Sequence, residues 1–65
     1  MDFVLGNTYT VNELHKGDVH VFKVVYIAKT YVDVKIMAST SFNEGMTITI
    51  NNDSLRWYNG SNWFL

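Results

Sequence analysis

A chain of 65 residues without cysteine has to hold one small core, and neither a disulfide nor a cysteine-based zinc site is available to support it. Its net charge of −1 lacks the basic excess by which most nucleic-acid binders release counterions, and no stretch approaches the roughly 18 apolar residues of a membrane span. What remains is a dense core, and with 48% hydrophobic and 15% aromatic residues the chain has the material for one.

The N-terminal stretch "MDFVLGNTYT" has an acid at position 2 and no basic run, so it does not read as a secretory signal, and a cytoplasmic setting is expected. Phe3–Leu5 and Tyr9–Val11 are short strand candidates. "VNELHKGD" follows, in which Asn12 is placed to cap one helical turn before Lys16-Gly17 redirects the chain.

Residues 18–38 hold six valines and two isoleucines, whose branched side chains favour strands. In the second half Val32, Val34 and Ile36 alternate with Tyr31, Asp33, Lys35 and Met37, the pattern of a half-buried antiparallel strand. The first half is apolar on both parities: Val19, Val21, Val25 and Ile27 on one, His20, Phe22, Val24 and Tyr26 on the other. A long bent strand with a bulge near Lys23–Val24 accounts for this. The turn between the halves, in "IAKTYV", is inferred from length alone.

Further on, "MTITI" alternates again, with Met46, Ile48 and Ile50 expected inward. "NNDS" supplies a turn, and Leu55–Tyr58 with Asn62–Leu65 form a terminal hairpin across Asn59-Gly60, a pair suited to a type I′ turn. The expected fold class is therefore all-β. One domain spans 1–65, a five- to six-stranded antiparallel, SH3-like or OB-like partly open barrel ending in a hairpin; a curled sheet paired with a second copy is the alternative.

Chemistry is sparse. "HKGDVH" brings His15, Asp18 and His20 close in sequence, but a metal site needs three or four convergent ligands, so a turn with exposed histidines on either side is the expectation. Neither a nucleophile elbow nor a phosphate loop occurs, Ser39, Thr40 and Ser41 sit in an ordinary polar loop, and the sequons at Asn52 and Asn59 read as turn chemistry. No enzymatic activity, cofactor or metal is expected.

The aromatics offer more. With a two-residue turn at Asn59-Gly60, Leu55, Trp57 and Phe64 share a core face, while Arg56, Tyr58 and Trp63 share the other. Trp, Tyr and Arg are the types enriched at binding hot spots, so Arg56, Tyr58 and Trp63 are the candidate contact residues, extended by Tyr31 and by Phe42 in its polar loop. The segment "YNGSNWF" resembles the aromatic-Asn-Gly-aromatic hairpin of chitin-binding-type carbohydrate-binding modules over seven residues, and the chain's overall rhythm resembles SH3-like barrels.

These features favour a non-enzymatic protein-binding module, a small adaptor or inhibitor. The asparagine-rich, proline-free composition is common in AT-rich genomes and fits a phage or mobile element as its source. A module binding a nucleotide or sugar, as a homodimer or larger homo-oligomer, is the alternative. A single-stranded nucleic-acid binder ranks last, because the lysines are scattered along the chain.

Overall fold

The computed structural model describes residues 3–14, 16–51, 56–58 and 61–64, with the side chains of 56–58, 61 and 62 left aside. Six strands follow one another: β1 (Thr8–Glu13), β2 (Val19–Ile27), β3 (Tyr31–Ser39), β4 (Thr47–Asn51), β5 (Arg56–Tyr58) and β6 (Ser61–Phe64). They pair in the order β4-β3-β2-β1-β6-β5, and every pairing is antiparallel. The two ends of that order, β4 and β5, approach each other, so the sheet curls into a partly open half-barrel consistent with a small SH3-like or OB-like barrel. The described residues contain no helix.

The alternation read from the sequence sets the inner face. Val11 from β1, Phe22 and Val24 from β2, Val32, Val34 and Ile36 from β3, Ile48 and Ile50 from β4, and Trp63 from β6 form one buried cluster. Burial of each such side chain contributes about 1.5–3 kcal/mol, and this cluster stands where a larger protein would have a second layer. Phe3, Tyr9 and Phe42 pack against it from the rim. Rings run through the core in near-continuous contact: Tyr9 to Phe22 at 6.0 Å between centroids, Phe22 to Trp63 at 6.3 Å, Trp63 to His20 at 4.6 Å and His20 to Phe42 at 5.0 Å.

Strand β2 bends through two register shifts, between Val21 and Phe22 and between Val24 and Tyr26. At the first, β3 holds the extra residue, Met37; at the second, β2 holds it, Val25. These flank the Lys23–Val24 position expected from the sequence, which itself pairs regularly with Lys35 and Val34. Two bulges on opposite strands let a hairpin of two nine-residue strands coil without breaking its inner face.

Several local expectations change. Residues 3–5 are not a strand: Asn7 N–H donates to Val4 O at 3.1 Å, and Gly6 has φ +85°, which makes Val4–Asn7 a turn of type II. The same design recurs at Asn43–Met46, where Gly45 has φ +88°. Asn12 caps nothing; it lies inside β1, opposite Val19 and Phe64. Past the end of β1, Gly17 N–H donates to Glu13 O at 3.2 Å. Met46 precedes β4 and is exposed, so the inward set of that strand begins at Ile48. The β2–β3 turn does fall at Ala28–Thr30, closed by Ala28 N–H to Tyr31 O at 2.9 Å.

Candidate functional site

The expected contact face on the terminal hairpin is not built as foreseen. Tyr58 does pair with Ser61, as a two-residue turn requires, but the register then shifts and Arg56 lies opposite Asn62. Beyond it, β6 joins β1 through Glu13↔Trp63 and Asn12↔Phe64. Directly opposed residues share a face, and Glu13 faces inward with Val11, so Trp63 is carried into the core. It is 1% exposed, whereas Phe64, assigned to the core from the sequence, is 43% exposed. The hairpin is therefore inverted at β6. Arg56 and Tyr58 belong to β5, and their side chains, like residues Leu55, Asn59 and Gly60, lie outside the described residues.

Phe42 is half-buried, packed against His20 and Trp63. Its place is explained by the other unforeseen feature, the burial of His20. His20 was expected on the surface, yet it is 1% exposed because it alternates inward with Phe22 and Val24. Its Nδ1 lies 2.7 Å from Ser39 Oγ, which also accepts the backbone N–H of Ser41 at 3.0 Å and of Phe42 at 2.9 Å. With both lone pairs of Oγ engaged by the two amides, the hydroxyl proton is free to point at Nδ1, and Nε2 is the ring's other polar atom. That atom faces Glu13 Oε2 at 3.8 Å, too long for a hydrogen bond, and it has no hydrogen-bond partner among the described residues.

Serine, histidine and glutamate are the residue types of an acyl-transfer triad, but this geometry does something else. The serine oxygen is used up in tying down the loop 39–42, and the imidazole is packed between Trp63 and Phe42. Asp18, the other proposed metal-ligand neighbour, points elsewhere and accepts from Thr40 Oγ1 at 2.8 Å. Among the described residues, no group of three His, Asp or Glu side chains is placed to hold a metal ion.

The outward face of the β2–β3 hairpin carries Tyr31, one of the expected contact residues, and exposed Met37. Four cross-strand rows can be read across it. Thr10, Val21 and Ala38 form the first, and Thr8, Lys23, Lys35 and Thr47 the second. Tyr26, Asp33 and Thr49 form the third, with Thr49 Oγ1 donating to Asp33, and Tyr31 with Asn51 forms the last. Tyr26 and Tyr31 sit diagonally, ring centroids 6.3 Å apart, and are 53% and 40% exposed. Tyr31 thus stands outward as expected, and its partner Tyr26 is the addition.

One end of the half-barrel is also apolar outside. Gly6 N–H donates to Val24 O and Val24 N–H to Asn7 O, which lays the N-terminal turn beside β2 where β1 has ended. Exposed Val4 and Leu5 of that turn, with Leu5 at 61%, are thereby brought to the same end as exposed Val25 and Ile27. The sequence signal for this was present: apolar residues on both parities of β2 cannot all face one core. A shallow, open cleft of about 330 Å³ lies near the opposite end, lined by Lys35, Ile36, Met37, Glu44 and Gly45.

The fold and this surface define the chain as a small all-β half-barrel with an apolar rim. No protein-family model, curated protein or solved structure matches it. No helix among the described residues is long and apolar enough to cross a membrane.

Proposed function

We propose that the protein is a non-enzymatic protein-binding module, a small adaptor or inhibitor that works in the cytoplasm by docking its apolar end onto a partner. The observation that carries this is the exposure of four aliphatic residues, Val4 and Leu5 in the turn that bonds β2 at Val24, and Val25 and Ile27 in the part of β2 that follows. Scattered exposed apolar residues are ordinary, but a gathered group on a domain this small is the usual mark of an interaction surface. Tyr26 and Tyr31 border it and supply rigid, amphipathic contact area. Small aliphatic groups without catalytic side chains beside them suit binding better than chemistry.

The test uses the chain and a Leu5→Ser/Val25→Ser double variant, both positions being exposed enough to leave the melting temperature within a few degrees. A partner isolated from the source organism, identified and then titrated as a pure protein against both, is expected to bind the variant at least about ten-fold more weakly. Equal binding by the folded double variant removes this end as the site. Sedimentation of the chain alone decides whether the partner is a second copy.

A further inference from the structure

The outward face of the β2–β3 hairpin carries a second feature that the apolar end does not explain. Lys23 and Lys35 are twelve residues apart in sequence, yet they are direct cross-strand partners, both exposed and both on the outer face. Like charges set directly opposite each other destabilise a sheet, so the pairing of Lys23 with Lys35 costs stability. Neither ammonium lies within ion-pair distance of a carboxylate among the described residues. Thr8 and Thr47 extend the row at both ends and present hydroxyl donors beside the two cations.

The charge is concentrated as well as opposed. The hairpin from Val19 to Ser39 holds Lys23, Lys29 and Lys35 against Asp33 alone, a net +2 in a chain whose total is −1. Asp33 is itself engaged by Thr49 Oγ1. Along the same face stand the exposed rings of Tyr26, in a row about 7 Å from that of Lys35 at the rise of a strand, and of Tyr31, about 13 Å from it. Exposed aromatic rings beside a cationic track are the two parts of a sequence-tolerant site for single strands: the rings stack bases and the ammoniums meet phosphates.

From this juxtaposition we infer that the outer face of the hairpin binds single-stranded nucleic acid, with Lys23 and Lys35 on the backbone and Tyr26 and Tyr31 under the bases. A second copy of the chain is a poor occupant, because a two-fold contact through this face sets lysines against lysines. An acidic polypeptide satisfies the lysines but gives the two tyrosines no bases to stack. The site shares Tyr26 and Tyr31 with the border of the aliphatic end, but it rests on the lysine row and does not depend on the protein contact proposed there.

The experiment is a fluorescence-anisotropy titration of labelled dT12 and U12 with the full chain at low and moderate salt. Binding is expected to weaken with salt along a log–log slope of about −1.4, as two lysines neutralising phosphates of a single strand produce. Lys23→Gln/Lys35→Gln is expected to weaken it about ten-fold or more, and Tyr31→Ala or Tyr26→Ala by a similar factor, with melting temperatures unchanged within a few degrees. No binding at low salt overturns the inference, as does full binding by the folded lysine double variant. Binding that needs the lysines but ignores both tyrosines, and that poly-L-glutamate displaces equally well, also overturns it and assigns the face to an acidic protein.

Discussion

The two ends of strand β2 invert the usual rule in opposite directions. At its start, polar His20 is sealed in the core between Trp63 and Phe42; at its finish, Val25, Tyr26 and Ile27 stand in solvent. Buried polar and gathered exposed apolar groups are the informative observations on any small protein. The buried end has its polar demand met in part, since Ser39 Oγ engages His20 Nδ1 and two backbone amides together while His20 Nε2 has no hydrogen-bond partner among the described residues. At the exposed end nothing among the described residues covers the aliphatic groups. The first end is where the fold is held, and the second is where it is available for contact.

Changes at the buried end should therefore be felt in stability and changes at the other end in binding. The largest effect is expected for Trp63→Ala, which removes the ring that links Phe22 to His20 and Phe42. Large-to-small substitutions of a buried tryptophan cost about 3–5 kcal/mol, enough to unfold most of a marginal domain of this size, as urea titration followed by circular dichroism reads directly. A native-like unfolding midpoint would show that the aromatic chain does not hold this end.

Ser39→Ala is expected to cost about 1–3 kcal/mol, because it takes from the half-buried Phe42 N–H and from buried His20 Nδ1 the oxygen they share. The signature is local. Hydrogen exchange at the Phe42 amide should quicken more than exchange within β3, and uniform acceleration would mean that the serine acts only through global stability.

At the exposed end, Val25→Ser should change stability by no more than about 0.5 kcal/mol while weakening the partner complex. A loss of several degrees in melting temperature would show instead that the bulge residue is part of the packing. The smallest effect is expected for Lys23→Gln, which relieves its opposition to Lys35 and should raise stability by a few tenths of a kcal/mol at low salt. Added salt should shrink that gain, since exposed charges are screened within about a Debye length.

Much of this architecture is legible in the residues alone. The period-2 pattern of Val32, Val34 and Ile36 names the buried face of β3, and Ile48 and Ile50 do the same for β4, because alternation is a local property of a strand. The hairpin turn at Ala28–Thr30 follows from strand length, and the pairing of Tyr58 with Ser61 agrees with the terminal hairpin expected there. Even the mixed parity of β2 announces a bulged strand.

Which residues lie opposite which is another matter. The inversion of β6, the burial of His20 and the pairing of Lys23 with Lys35 all depend on register between strands, and a shift of one residue flips a face. Trp63 points inward because its partner Glu13 does, a fact of β1–β6 pairing that the terminal hairpin, read by itself, does not contain. The chain by itself determined a small, all-β, curled sheet and most of its inner face. Tertiary pairing decided which aromatics the core consumes and where lysines scattered along the chain become neighbours.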